Sequence, residues 1–287
     1  MLASFIIWDP ARAMLPWNIP LLNRPILWYG FFFALGFFLA YFFLVYLLKG
    51  YFDQDPSLSK KENPVRAKQL AEKTLFYAVV GTLVGARLGD VLFYQDWHFW
   101  LKDPLSIFRI WEGGLSSHGG SLGVLIAFWL LFQRIKKSYS TLSFLRVLDL
   151  VCIPIGMVGG FIRIGNFFNQ EILGTCTALP WGVVFLHPAD GSAICPRHPA
   201  QLYEALVYFV VSFLVWKLWQ KDRGLLRQGR IIGFFLVWVF GFRMLIECVK
   251  EEQSAWMAFS EFTMGQWLSI PFFLLGVFLL IMSRKKA

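Results

Sequence analysis

Seven long apolar runs constrain this chain more than any other feature of it. They lie at 26–48, 75–94, 114–132, 147–168, 202–219, 231–246 and 267–282. A helix rises about 1.5 Å per residue and the hydrocarbon layer is about 30 Å thick, so about 20 apolar residues are enough to cross it. Lipid offers the backbone no hydrogen-bond partner, which leaves only helices and closed barrels as spanning structures. These runs are too long and too evenly apolar for barrel strands, whose lipid-facing and lumen-facing residues alternate. The expected fold is all-α: a polytopic bundle of seven transmembrane helices forming a single integral membrane domain over 1–287. The 57% hydrophobic content, 16% charged content and mean hydropathy of +0.57 point away from a soluble domain.

Seven spans place the two termini on opposite sides, and the distribution of Lys and Arg then selects the orientation. One set of connections holds six basic residues, Arg12, Arg24, Lys102, Arg109, Arg197 and Lys250. The other set holds eighteen, clustered at 49–73, 134–146, 217–230 and 284–286. Arg87, Arg163 and Arg243 remain inside spans. The expectation is an N-terminus outside and a C-terminus in the cytoplasm. The net charge of +9 then reads as a topology signal and an attraction to anionic lipid heads, not as a nucleic-acid footprint. Residues 1–25 carry Asp9 and prolines at 10, 16, 20 and 25, so they are expected to form an outer interfacial arm and not a cleaved signal peptide. The hydrophilic stretch 51–73 reads as a solvated cytoplasmic connection. No metal-ligand spacing, phosphate loop or dinucleotide fingerprint stands out, so no cofactor is expected.

An ionisable group inside a span costs about 2.5–3.5 kcal/mol on insertion scales, which makes each one a functional candidate. With the orientation above, Arg87 and Asp90, then Arg163 with Asn166 and Asn169, and then Arg243 with Glu247 all fall near the outer ends of outward-running spans. The segment WEGGLSSHGG, with Glu112 and His118, opens the next inward span at that level, and PRHPAQLYE, with Arg197, His198, Gln201, Tyr203 and Glu204, opens another. Two readings stay open. In one, Arg87–Asp90 and Arg243–Glu247 are helical pairs that only stabilise the bundle. In the other, the cations hold an anion, and His118, flanked by Gly113, Gly114, Gly119 and Gly120, acts as a general base. Gly81, Gly85 and Gly89 form a small-residue row expected to pack against a neighbouring helix. Cys176 and Cys195 share an outer loop, where a disulfide is a hypothesis; Cys152 and Cys248 read as apolar fillers.

FIRIGNFFNQEILG, residues 161–174, resembles the signature of the prolipoprotein diacylglyceryl transferase family, at Arg163, Gly165, Asn166, Phe167, Asn169, Glu171 and Gly174. LWYG at 27–30, GARLGDVLFY at 85–94, WEGGLSSHGG at 111–120, HPAQLYE at 198–204, FRMLIE at 242–247 and FTMGQWLSIP at 262–271 follow in family order. The resemblance implies transfer of the diacylglyceryl group of phosphatidylglycerol to the thiol of a lipobox cysteine in a prolipoprotein, with release of glycerol 1-phosphate. It also implies a bacterial inner membrane, an active site toward the periplasmic side, and two partners, phosphatidylglycerol and the signal peptide. A monomer is expected.

Carried over residue by residue, Arg163 and Arg243 would hold the phosphate and His118 would take the thiol proton, with Glu247 or Glu171 as alternative bases or as orienters of an arginine. Tyr29, Asn166 and Asn169 would position lipid oxygens, Gly174 would shape the turn, and Arg87 and His198 would complete the substrate-binding set. The chain departs from the usual pattern at Leu27, at Asp90, and at 249–253, where Lys250 and Glu252 replace an arginine-led run. A membrane carrier for an anionic substrate is the rival reading.

Overall fold

The computed structural model describes residues 5–19, 24–93, 103–109, 114, 116–222, 227–251 and 262–284. Tyr94, Lys102, Glu112, Gly113, Arg223 and Glu252, which the sequence reading uses, lie outside the described residues. Seven α-helices are described: α1 (Trp28–Phe52), α2 (Asn63–Phe93), α3 (Ser117–Ile135), α4 (Phe144–Phe168), α5 (Ala200–Asp222), α6 (Arg230–Glu247) and α7 (Met264–Arg284), with a short 3₁₀ helix at Pro104–Phe108. All except α6 are long and apolar enough to cross a membrane. The 18-residue α6 carries Arg230, Arg243 and Glu247, so six of the seven expected spans qualify by length and composition.

The all-helical expectation misses five short strands: β1 (Ile6–Trp8), β2 (Ala13–Ile19), β3 (Arg24–Leu27), β4 (Val183–Phe185) and β5 (Pro196–Arg197). The N-terminal arm is extended, as its prolines demand, but it is also paired. β2 and β3 form an antiparallel ribbon, and β1 lies parallel to β4, which is antiparallel to β5. The expected solvated connection at 51–73 also differs. From Asn63 onward it forms the first turns of α2, because Ala67, Leu70, Ala71 and Thr74 recur at helical spacing and are buried. Arg66–Glu62 and Lys68–Glu72 pairs line the exposed side of the same stretch.

The backbone divides into two units, residues 1–44 with 148–287, and residues 45–147. In the second unit the glycine row of α2 interlocks with α3. A Cβ at Gly81 would lie 2.6 Å from the Cβ of Ala127, one at Gly85 2.7 Å from the Cα of Gly123, and one at Gly89 2.6 Å from the Cα of Gly119. The two backbones approach as closely as the small-residue pattern leads one to expect. In the first unit, Gly156 of α4 faces Ser212 of α5, and Gly159 and Gly160 face Tyr208 and Phe209. On α6, Gly233 meets Gly276 of α7. Gly229, at φ +83°, starts α6, and the fully buried Asp149 of α4 accepts hydrogen bonds from the amides of Gly229 (2.8 Å) and Ile232 (2.9 Å). A carboxylate at a helix amino end satisfies otherwise orphaned donors and the helix dipole together.

Candidate active site

The polar residues of the signature leave α4 in a fixed order set by its last turn. Arg163, Asn166 and Asn169 recur every three residues and so share one face. Arg163 Nη1 donates to Asn166 Oδ1 at 3.0 Å, and Asn166 Nδ2 donates to Glu171 Oε1 at 2.6 Å. Asn169 Nδ2 reaches the same Glu171 oxygen at 3.4 Å. The chain then turns sharply. Gln170 and Ile172 both have positive φ, +53° and +59°, which non-glycine residues adopt only under constraint. Three contacts hold the turn: His187 N to Gln170 Oε1 (2.7 Å), Ala189 N to Gln170 O (2.9 Å) and Gln201 Nε2 to Glu171 O (2.8 Å). Beneath it, Phe167, Leu173, Val183 and Phe185 form a buried apolar cluster with Trp8 against it, whose Nε1 donates to Phe167 O at 3.1 Å.

A second side of the site comes from α5 and α6. Glu204, one turn into α5 and only 4% exposed, meets Arg163 Nε at 2.7 Å and Lys250 Nζ at 3.5 Å. Lys250 also pairs with Glu247 at 3.1 Å. The result is an unbroken series, Glu247–Lys250–Glu204–Arg163–Asn166–Glu171, drawn from α4, α5, α6 and two loops. Arg243 and Glu204 line one pocket with Val207, Tyr208, Val239 and Ile246. The one-turn pair between Arg243 and Glu247, one of the two readings open from the sequence, does not form. Lys250 takes the Glu247 carboxylate, and among the described residues no carboxylate lies within ion-pair distance of Arg243. Nη2 of Arg163 likewise has no hydrogen-bond partner among the described residues. The low dielectric of such a setting strengthens the attraction of these two guanidiniums for negative charge.

The remaining loops are tied to this series. Gly174 is bridged to Lys250, and a Cβ there would collide with the carbonyl and Cβ of His198 and with the Val249 carbonyl. Thr175 N donates to Val249 O (2.9 Å), Glu251 N to Leu173 O (3.0 Å) and His198 N to Thr175 O (3.1 Å). Buried Arg197 donates to Gly174 O (3.0 Å) and Ala193 O (2.9 Å) and pairs with Glu251. Cys176 and Cys195 are joined in a disulfide with a Cα–Cα distance of 5.9 Å. His198 Nδ1 lies 3.3 Å from Tyr203 OH, which accepts from Trp181 Nε1 at 2.8 Å. Tyr29 lies against Gly165, where a Cβ would approach its ring to 3.0 Å.

Arg87 and His118 belong to the second unit. The Arg87 guanidinium is buried and donates to the carbonyls of Ile107 (2.9 Å), Gly114 (3.1 Å) and Ser106 (2.6 Å), with Asp90 3.7 Å away. It ties the backbone of Ser106, Ile107 and Gly114 to α2. His118 is exposed in the first turn of α3, whose N-cap Ser116 accepts from Gly119 N at 3.2 Å. From the sequence Glu204 has no assigned partner, and Lys250 stands only as a departure from an arginine-led run. Both sit at the centre of the series. The signal for Glu204 was a lone carboxylate in an otherwise apolar span, which demands a cation from another element.

The family described as prolipoprotein diacylglyceryl transferase matches residues 16–282. A Chlamydia pneumoniae phosphatidylglycerol–prolipoprotein diacylglyceryl transferase is 41% identical, covering 99% of this chain and 97% of its own. A Porphyromonas gingivalis protein of the same name is 40% identical, covering 99% and 96%, and one from Protochlamydia amoebophila is 36% identical, covering 96% and 94%. The match takes in every site residue described above, from Tyr29 on α1 to Glu251 after α6, and on it the chain belongs to the prolipoprotein diacylglyceryl transferase family.

Proposed function

We propose that this membrane enzyme transfers the diacylglyceryl group of phosphatidylglycerol to the thiol of a lipobox cysteine in a prolipoprotein. The observation that carries the reading is the pair of guanidiniums, Arg163 and Arg243, flanking Glu204 with donors left over for a phosphate. In the reaction the thiol loses its proton to a base, and the thiolate sulfur attacks the glyceryl carbon next to the phosphate. A C–S bond forms as the C–O bond breaks, and the electron pair leaves with the phosphate of glycerol 1-phosphate. Arg163 and Arg243 stabilise the charge that grows on that leaving oxygen. His118 is the base of first choice, since the start of a helix favours the neutral imidazole that accepts a proton. Glu247 and Glu171 are the alternatives, and in their other role they hold Lys250 and Asn166 in place. Tyr29, Asn166, Asn169 and His198 position the lipid head, Gly174 sets the turn beside it, and Arg87, which holds the Gly114 carbonyl, completes the substrate-binding set.

The setting completes the proposal: seven spans, an N-terminus outside, a C-terminus in the cytoplasm, a monomer in the bacterial inner membrane, and a site toward the periplasmic side. Purified protein incubated with phosphatidylglycerol vesicles and a lipobox peptide tests it by mass spectrometry. A diacylglyceryl thioether on the peptide is the expected product. No adduct, with solute flux in liposomes, favours the carrier reading and overturns this one.

A further inference from the structure

The FTMGQ segment before and within the first turn of α7 has no part in the chemistry above, yet its geometry leads to one of the candidate carboxylates. Thr263 and Gln266 bond reciprocally, Gln266 N to Thr263 Oγ1 at 3.3 Å and Thr263 N to Gln266 Oε1 at 3.0 Å, which fixes the amino end of α7. Gln266 Nε2 then donates to Met244 O (3.2 Å) and to Cys248 Sγ (3.4 Å), which locks that end against the last turn of α6. Gly265 is carried between these contacts and is buried. A Cβ built on it would collide with the carboxyl carbon and one carboxylate oxygen of Glu247 and lie 2.6 Å from the other oxygen. On its other side the same carboxylate meets Lys250 Nζ at 3.1 Å.

We infer that Gly265 is a positioning residue for the Glu247 carboxylate, which lies between the Lys250 ammonium and the bare Cα of Gly265; the inference rests on the transferase reading above. The clash falls on the far end of a flexible side chain and not on backbone. A methyl group at 265 therefore displaces the carboxylate at little cost to the fold, and the penalty appears in turnover. A group moved by about 1 Å in an active site loses rate out of proportion to its contribution to folding.

The test compares Gly265→Ala with the full-length wild type in phosphatidylglycerol vesicles with a lipobox peptide. Turnover is expected to fall at least about tenfold, with KM for lipid within about twofold and the apparent Tm unchanged. Glu247→Asp withdraws the carboxylate by about one bond length and makes room for the methyl. In that background the same substitution is expected to cost less than about threefold, the non-additivity of two groups in contact. Wild-type turnover in Gly265→Ala, an equal loss in both backgrounds, or a loss of turnover that tracks a lowered Tm each overturn the inference. A wild-type protein that forms no adduct overturns the transferase reading itself, and this inference with it.

Discussion

Glu204 is the most informative residue to perturb, because two cations from different elements converge on it. Replacing it with Gln keeps the shape and removes the charge. Its carboxylate is 4% exposed and lies 2.7 Å from Arg163 and 3.5 Å from Lys250. Removing one partner from a buried ion pair costs about 3–5 kcal/mol, because the other charge is left uncompensated. Lys250 retains Glu247 at 3.1 Å, so the low end of that range, about 3 kcal/mol, applies here. At roughly 2–4 °C per kcal/mol for a chain of this size, the apparent Tm falls by about 6–12 °C. Tryptophan fluorescence of the detergent-purified protein follows it. Turnover should fall as well, since Arg163 loses the contact that orients its Nε edge. Lys250→Met in the Glu204→Gln background removes the second stranded cation and should restore part of the lost Tm. A Glu204→Gln protein that melts within about 1 °C of wild type and turns over normally refutes the reasoning, since a buried pair worth the range above was assumed.

Arg163→Lys keeps the charge but loses the planar fork that serves Glu204, Asn166 and a phosphate together; KM for phosphatidylglycerol is expected to rise about tenfold or more in steady-state assays. His118→Gln, which cannot accept the thiol proton, should lower turnover by about 10²–10⁴-fold with lipid affinity intact, and full activity assigns the base to a carboxylate. Gly85→Val drives a side chain into the Gly119 carbonyl and to within 2.7 Å of the Gly123 Cα, so overpacking should cost about 1–3 kcal/mol, whereas Gly30→Ala, with nothing within 4 Å, should be neutral in the same melts. Asp53 accepts from Lys49 at 2.7 Å and Asn63 at 3.0 Å, and these bonds hold its carboxyl below the ordinary range. Its stabilising contribution is therefore complete above the unfolded value of about 3.9 and is lost as pH falls through the lower folded value. The Tm difference between wild type and Asp53→Asn should be constant above about pH 5 and close on acidification below that unfolded value.

Helical architecture was legible because a span must be apolar for its whole length, and each of the seven α-helices overlaps a run read from the sequence. The strands were not. β1 depends on a partner, β4, that lies far along the chain, and three residues carry no period by themselves. The site was legible where its contacts are local: the three-residue spacing of Arg163 and Asn166 anticipates the bond between them, and the glycine row anticipates the α2–α3 seam. It stayed open where local spacing competed with a partner from elsewhere. Arg243 and Glu247 are one turn apart, but Lys250, brought in by the loop that bridges to Gly174, takes the carboxylate. Glu204 had no local partner, so nothing near it in sequence announced the pair with Arg163. The disulfide between Cys176 and Cys195 stood as a hypothesis because spacing alone does not bring two sulfurs together; the β-bridge between Cys176 and Arg197 does.

The central claim is that a thiolate breaks the carbon–oxygen bond of the lipid while the arginine pair holds the phosphate. Running the reaction in ¹⁸O-water, with the peptide adduct and glycerol phosphate quantified together by mass spectrometry, tests it most directly. The account predicts thioether and glycerol 1-phosphate in equal amounts with no heavy oxygen in the phosphate, and loss of both products in Arg163→Ala. Heavy oxygen in the phosphate, or glycerol phosphate released without a matching thioether, would contradict it.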